Sequence, residues 1–143
     1  MKRYQFICTG NFYRSRLAET LLNHWASEKS LPVRATSRGL EVFAARNEGP
    51  ISPFTQEYLK VLEISLPEPI PFPQQVSERD FTLADRVILM DESEHRPMME
   101  KYFPTWADRV EYWSFPDIQY QTPDDILPGI AKEVQQLLGQ ILV

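Results

Sequence analysis

The sequence predicts an α/β fold in which one domain, residues 1–143, holds a four-stranded parallel sheet with helices on both faces. Three observations support this prediction. Four short β-rich runs alternate with longer segments of helical periodicity, as in βαβ units. A length of 143 residues fits one hydrophobic core. A composition of 43% hydrophobic and 24% charged residues is that of an ordinary soluble globular protein.

The four strands are predicted from apolar and β-branched runs at Tyr4–Cys8, Val33–Thr36, Arg86–Met90 and Arg109–Trp113. Helical segments separate these runs, so successive strands should pair in parallel. Because parallel sheets are buried on both faces, we expect two helical layers.

Three helices are predicted from apolar residues that recur with the spacing of one helical face, and each stripe is expected to pack in the core. The stripes are Ala18, Leu21, Leu22 and Trp25; Phe54, Tyr58, Val61 and Leu62; and Ile130, Val134, Leu137, Leu138 and Ile141. Ser52 is the expected N-cap of the second helix, with Pro53 as its first residue. A shorter helix is predicted from Glu92 to about Tyr102.

Charge and composition exclude several classes of protein. A net charge of −5 argues against nonspecific nucleic-acid binding and against a polybasic membrane anchor. The sequence shows neither a signal peptide nor an apolar run of spanning length, so we expect a cytoplasmic protein without membrane contact. The single cysteine, Cys8, excludes an intrachain disulfide and a multi-cysteine zinc site. His24 and His95 lack ligand spacing and are expected at the surface or hydrogen-bonded within helices.

Polar residues follow each predicted strand. They are Cys8 with its loop, Ser37–Gly39, Asp91–Ser93 and Phe115–Asp117. The carboxyl ends of parallel strands line one crevice, where ligands bind. A cysteine, several hydroxyls, two arginines and two acids are therefore expected to face one another.

The first of these loops has the features of an anion-binding nest. It connects a strand to a helix N-terminus, so its successive N–H groups can point inward beside the helix dipole. Gly10 permits an unusual backbone angle, and Asn11 tolerates the left-handed region while its amide can lock the loop.

The same loop carries a candidate nucleophile. A lone cysteine at a strand end is usually an inert small hydrophobe. Here the positive surroundings favour the thiolate of Cys8, Arg14 can grip two phosphate oxygens, and Ser15 can hydrogen-bond the sulfur. A nucleophile at the base of an anion nest predicts phosphoryl transfer through a phosphocysteine.

The stretch CTGNFYRSRLAE resembles the signature of the low-molecular-weight protein tyrosine phosphatase family, cysteine-x-Gly-Asn-x-x-Arg-Ser with an Ala-Glu pair shortly after. The similarity continues in Thr36–Gly39, in Ala84–Ser93 with its Met-Asp pair, and in Asp117 at the expected distance before the last helix. The resemblance implies a four-stranded parallel sheet with flavodoxin-like layering. It also implies a phosphatase that uses neither a metal nor another cofactor.

The resemblance implies a role for each matching residue. Cys8 would be the nucleophile, Arg14 the phosphate clamp, and Asp117 the general acid and later the base that activates water. Ser37 would support the loop by hydrogen-bonding the side chain of Asn11. The residues expected to bind substrate are Thr9, Gly10, Asn11, Phe12, Tyr13, Ser15 and Tyr120. The aromatic residues Phe12, Tyr13 and Tyr120 suggest apolar walls for a flat leaving group, and hence a preference for phosphotyrosine.

The expected partners are a phosphorylated protein or a small aryl phosphate, with inorganic phosphate as product and inhibitor. The protein is expected to be a monomer or a weak homodimer. The sequence leaves two alternative functions open. One is an arsenate reductase that uses an external thiol, and the other is a non-catalytic module that binds phosphate or phosphoproteins.

The sequence departs from the family pattern at the acid. The family's acid is normally followed by proline, whereas here proline precedes it in Pro116-Asp117-Ile118. Asp124 and Asp125 are therefore rivals for the role, although one of them is expected to cap the last helix.

Three further departures surround the loop. Arg16 replaces the family's usual proline and is expected to add positive charge at the rim. Tyr13 stands where many members carry a second cysteine. Leu66–Pro73 reads LPEPIPFP, and prolines at every second position predict a stiff, extended connector.

Overall fold

The four parallel strands form one sheet in the order β2-β1-β3-β4. A computed structural model describes residues 1–45 and 47–142. The strands are β1 (Lys2–Cys8), β2 (Val33–Gly39), β3 (Arg86–Leu89) and β4 (Glu111–Tyr112). This confirms the predicted fold class. The predicted fourth strand is too long, since Arg109 lies in a turn before β4.

Five α-helices accompany the sheet among the described residues: α1 (Arg14–Glu28), α2 (Pro53–Val61), α3 (Glu78–Leu83), α4 (Glu92–Tyr102) and α5 (Pro123–Leu142). The bounds of α4 are those predicted. Ser52 caps α2 as expected, because its hydroxyl accepts the N–H of Phe54 at 3.2 Å. The helix α3 was not predicted, although a reciprocal capping box between Ser77 and Asp80 marks its start. No helix in the described ranges has both the length and the apolar character needed to cross a membrane.

Two hydrophobic clusters cover the two faces of the sheet. Phe6 and Ile88 point to the face covered by α1, α2 and α5. Ile7 and Leu89, their neighbours in sequence, point to the face covered by α3 and α4. The predicted stripes of the first and last long helices lie in the first cluster, with Trp25 and Ile141 partly buried at its edge.

The predicted core stripe of the second helix is wrong except for Tyr58, which packs partly buried against the first cluster. The side chains of Phe54 and Val61 are 51% and 69% exposed, whereas Thr55 and Leu59 are buried. Thr55 and Leu59 each lie one residue after a predicted core residue, Phe54 and Tyr58. The buried face of the helix is therefore rotated by roughly 100° about the helix axis from the predicted one. Thr55 is accommodated because its hydroxyl donates to the carbonyl oxygen of Tyr13 at 3.0 Å. A pattern of apolar residues cannot identify a polar residue that is buried because it makes such a hydrogen bond.

The end of β2 approaches the candidate loop closely. Gly39 is paired with Cys8, and a Cβ at position 39 would lie 2.7 Å from the carbonyl oxygen of Thr9 and 2.9 Å from the backbone nitrogen of Asn11. Those distances are too short for any side chain, so glycine is required where β2 supports the loop.

The connector Leu66–Pro73 contains neither helix nor strand. It leads to Gln74 and Val76, which hydrogen-bond the backbone of Gly39 on the outer side of β2. The proline-rich segment therefore runs beside the same loop.

Candidate active site

A cavity of about 540 Å³ opens at the carboxyl ends of the strands. Cys8, Arg14 and Asp117 line it together with the apolar side chains of Phe12 and Phe54. The topology therefore brings the three predicted chemical groups to one cavity. The predicted residues that also line it are Thr9, Gly10 and Tyr13.

Tyr120 is not part of this lining. Its side chain is 73% exposed, and in its place Ile118 and Phe54 extend the apolar wall. Tyr13 lies in the wall, and burial raises its pKa to about 12. Its hydroxyl has no hydrogen-bond partner in the part of the chain that the structure describes.

Cys8 is the last residue of β1, and its side chain is buried at the floor of the cavity. The loop turns through Asn11, whose φ of +53° lies in the left-handed region. The helix α1 then begins at Arg14. The Sγ atom of Cys8 lies 3.0 Å from the hydroxyl oxygen of Ser15, in the first turn of α1.

The hydrogen bonds of Asn11 fix the direction of the bond to the sulfur. Its Oδ1 accepts the backbone N–H of Gln74 at 2.9 Å, which identifies the other amide atom as the donor Nδ2. Nδ2 donates to Ser15 at 3.0 Å and to Ser37 at 2.9 Å. Since Ser15 accepts from Asn11, its own hydrogen is left to donate to the sulfur of Cys8.

The contact between Ser37 and Asn11 is the one that the resemblance implied. Ser37 accepts from Asn11 and donates in turn to the carboxylate of Glu19 on α1. Burial raises the pKa of Glu19, while the hydrogen bond from Ser37 opposes that shift. The loop is thus tied to α1, to β2 and to the segment around Gln74.

Three of the five N–H donors of Arg14 are used by protein acceptors. Nη1 and Nη2 each donate to one carboxylate oxygen of Glu94 at 2.9 Å, and Nη1 also donates to the carbonyl oxygen of Phe115 at 2.9 Å. Nε has no partner in the described residues, although Arg14 is only 2% exposed. The remaining donors are therefore Nε–H and one hydrogen of Nη2, which lie side by side. Such an edge can donate two parallel hydrogen bonds to an oxyanion.

Glu94 is the main residue of the site that was not predicted from the sequence. Its carboxylate also accepts from the hydroxyl of Thr9 and lies 3.2 Å from Nε2 of His95. His95 Nδ1 accepts the backbone N–H of Asp91 at 3.0 Å, so the ring hydrogen of the neutral form is on Nε2. Burial lowers the pKa of His95, which favours that neutral form.

These hydrogen-bond donors stabilise the charged form of Glu94. Burial alone would raise its pKa, but the hydrogen bonds from His95 and Arg14 bring it well below the ordinary range. Burial alone would lower the pKa of Arg14, and the bond to Glu94 and the proximity of Cys8 raise it. Glu94 is three residues beyond Asp91, the N-cap of α4. This position relative to the cap is the sequence feature from which Glu94 could have been predicted.

Asp117 stands at the mouth of the cavity. Its side chain is 37% exposed, and Oδ1 lies 3.9 Å from Nη2 of Arg14. Asp124 and Asp125 belong to the first turn of α5 and do not line the cavity. Geometry therefore favours Asp117 among the three candidate acids.

The expectation for Arg16 is wrong. Arg16 is 6% exposed, and its guanidinium donates to three carbonyl oxygens instead of lying at the rim. The carbonyls belong to Asn11, Pro50 and Pro71. The long side chain turns inward because this cluster of acceptors compensates for the burial of a cation.

Comparison with known proteins decides the family. The model of the family "low molecular weight phosphotyrosine protein phosphatase" matches residues 3–137. The chain belongs to this family. Membership in the family supports a phosphatase, which is a hydrolase, acting on phosphorylated substrates. No curated protein sequence matches the chain significantly.

Several solved structures share the fold. A low molecular weight protein tyrosine phosphatase from Streptococcus pyogenes is 25% identical, with a TM-score of 0.81, and the match covers 98% of this chain and 93% of the other. YfkJ from Bacillus subtilis is 25% identical, with a TM-score of 0.81 and coverage of 99% and 95%. The YwlE arginine phosphatase, in a cysteine-to-serine mutant with a phosphorylated active-site serine, is 23% identical, with a TM-score of 0.72 and coverage of 94% and 95%. YwlE is a Bacillus subtilis protein.

Proposed function

We propose that this phosphatase hydrolyses aryl phosphate monoesters, phosphotyrosine above all, through a phosphocysteine formed on Cys8. The observation that carries the proposal is the free Nε–Nη2 edge of Arg14 in the same cavity as a sulfur that receives a hydrogen bond from Ser15. A buried guanidinium with two adjacent unpaired donors matches a phosphoryl group, whose oxygens accept both.

The first chemical step follows from these positions. The phosphoryl oxygens bind the loop N–H groups and the free edge of Arg14, which places phosphorus above Cys8. The thiolate attacks, so an S–P bond forms as the bond between phosphorus and the leaving oxygen breaks. Asp117 gives its proton to that oxygen, and the alcohol or phenol departs.

The second step returns the enzyme to its starting state. The carboxylate of Asp117 takes a proton from water as the water oxygen attacks phosphorus. The S–P bond breaks, inorganic phosphate is released, and Cys8 becomes a thiolate again. The hydrogen bond from Ser15 stabilises the sulfur as it leaves.

The walls of the cavity support an aromatic leaving group. Phe12, Phe54 and Ile118 provide apolar surface around the mouth, on the side where the leaving group would lie. A phenyl ring buries more apolar area there than the short side chains of phosphoserine or phosphothreonine.

A second candidate substrate is phosphoarginine. A structural neighbour is described as an arginine phosphatase. In this chain two carboxylates, those of Glu48 and Asp117, line the cavity and can pair with a guanidinium leaving group. The aromatic wall favours phosphotyrosine, and a substrate panel separates the two.

The test compares the wild type with Cys8→Ser. The panel holds an aryl phosphate, peptides with phosphotyrosine, phosphoserine or phosphothreonine, and phosphoarginine. We expect phosphotyrosine to give the highest kcat/KM. Cys8→Ser should lose turnover by at least roughly 10³-fold, as loss of a nucleophile does, while it still binds inorganic phosphate. Wild-type protein alkylated at its single thiol is the matched control.

Several outcomes would change the conclusion. Substantial turnover by Cys8→Ser would remove Cys8 as the nucleophile. Phosphate binding without turnover of any substrate by the wild type would identify a binding module. Arsenate reduction with an added thiol, in the absence of phosphatase turnover, would identify the reductase.

A further inference from the structure

Arg16 and the proline-rich connector Leu66–Pro73 meet in one contact. In the structure Nη2 of Arg16 donates to the carbonyl oxygen of Pro71, inside that connector, at 2.8 Å. We propose that Arg16 is a positioning residue that acts on Cys8 through Pro71–Gln74 and Asn11. The proposal rests on the proposed function only for the role of Cys8 as nucleophile.

The guanidinium of Arg16 joins three separate segments of the chain. Nη1 donates to the carbonyl oxygen of Pro50 at 2.7 Å and, more weakly, to that of Asn11 at 3.4 Å. Nη2 donates to Pro71. A planar fork with five donors can serve acceptors in several directions at once, which a lysine ammonium on a flexible stem cannot reproduce. Arg16 therefore fixes the connector relative to the nucleophile loop.

The position of the connector in turn fixes Asn11. Three residues after Pro71, the backbone N–H of Gln74 donates to Oδ1 of Asn11 at 2.9 Å. Arg16 thus contacts the Asn11 backbone directly and holds the segment that orients the Asn11 side chain. A non-glycine residue at a φ of +53° needs such external constraints, because the left-handed region is unfavourable for it.

Asn11 transmits the constraint to the sulfur. With Oδ1 occupied by Gln74, Nδ2 donates to Ser15, and the Ser15 hydrogen is directed to Cys8 at 3.0 Å. If the connector shifts, the amide of Asn11 can rotate, and Ser15 can then donate to Asn11 instead of to the sulfur. The loss would appear as a less reactive Cys8.

The experiment measures Cys8 directly. Arg16→Leu removes all three hydrogen bonds, and Arg16→Lys keeps a charge and a stem in the buried site. Arg34→Leu, an exposed arginine on β2, is the matched control. The readouts are the rate of alkylation of Cys8 by iodoacetamide at a fixed pH, kcat and KM for an aryl phosphate, and the thermal transition of each variant.

We expect both Arg16 variants to alkylate several-fold more slowly and to lose on the order of 10²-fold in kcat, the cost of a small misplacement of a reacting group. KM should change less than kcat, because Arg14, which binds the phosphoryl oxygens together with the loop N–H groups, is held by Glu94 and Phe115 and not by Arg16. Arg34→Leu should behave as the wild type. A role for Arg16 in stability alone would lower the thermal transition without changing alkylation of the folded protein.

A double-mutant cycle tests the route through Asn11. In an Asn11→Ala background, Arg16→Lys should have little further effect on alkylation, because the transmitting amide is already gone. Equal effects in both backgrounds, or wild-type alkylation in a folded Arg16 variant, would overturn the proposal. If Arg16→Leu does not fold, Arg16→Lys decides the matter. Slower alkylation in a protein without phosphatase activity would support this inference while refuting the proposed function.

Discussion

The carboxylate of Glu94 and the guanidinium of Arg14 determine how charge is arranged in the site. Glu94 accepts both terminal nitrogens of Arg14 and also contacts the hydroxyl of Thr9 and the ring of His95. The pair fixes the plane of the guanidinium, and only the Nε–Nη2 edge is left for a ligand. In the proposed mechanism, the phosphoryl group therefore binds an arginine whose orientation has already been set.

Asp117 is the proposed general acid. Asp117→Asn should reduce kcat for an aryl phosphate by roughly 10²–10⁴-fold, the usual contribution of a positioned proton donor. Asp125→Asn is the control, because Asp125 is in the first turn of α5 and outside the cavity lining. A large loss in the control with a small loss in Asp117→Asn would reverse the assignment.

Contacts within the loop could be predicted from the sequence, and contacts of long side chains across the fold could not. Cys8 and Ser15 are only seven residues apart, so their order in the loop predicted the contact between sulfur and hydroxyl. Arg16 and Glu94 reach partners that are 55 and 80 residues away in sequence. The sequence does not reveal in which direction such a side chain extends, because that depends on acceptors brought together only by folding.

At the scale of elements, the buried faces of α1 and α5 were predicted, whereas α3 was missed despite its capping box. The bounds of α4 and the cap of α2 agree with the structure. The buried face of α2 does not, because Thr55 replaces an apolar residue at the core and Phe54 stays exposed beside the cavity. An exposed apolar residue next to a binding site and a hydrogen-bonded polar residue in the core both mislead a hydrophobic pattern.

The contact between α4 and the nucleophile loop predicts a dependence of stability on pH. The folded protein holds the pKa of Glu94 well below its ordinary value of 4.5. The stabilising contribution of Glu94 is therefore complete above about pH 4.5 and is lost as the pH falls toward the lower pKa of the folded state.

Glu94→Gln should accordingly lower the free energy of unfolding near pH 7 by roughly 1.5–3 kcal/mol, the typical contribution of hydrogen bonds to a charged group. The difference from the wild type should shrink as the pH is lowered from about 5 to 3. Urea unfolding at a series of fixed pH values measures this. The control is Glu92→Gln, an exposed neighbour on α4, which should have little effect at any of these values. A difference for Glu94→Gln that does not vary with pH would contradict the account.

At the scale of the whole molecule, the strand order creates the crevice. The chain passes from β1 to β2 on one side and returns to β3 on the other, so the loops after β1 and β3 diverge. Thr9 follows β1, Glu94 follows β3, and they meet across this gap. The sequence predicted that parallel strands would gather these loops. It did not predict the order of the strands, which depends on long-range pairing.

The solitary thiol of this protein has a consequence for its survival under oxidative conditions. Peroxide converts a reactive thiolate to a sulfenic acid, which a second cysteine can trap as a reducible disulfide. Cys8 is the only cysteine in the sequence, so no second thiol of the chain can trap the sulfenic acid. Oxidation of Cys8 should therefore proceed to the sulfinic and sulfonic acids. Activity should not return when dithiothreitol is added after a long incubation of the peroxide-treated protein. Inorganic phosphate should slow the loss, and near-complete recovery would indicate a protective cap on the sulfur. Enzyme damaged in this way can be replaced only by new synthesis, so oxidant exposure would set the lifetime of each molecule.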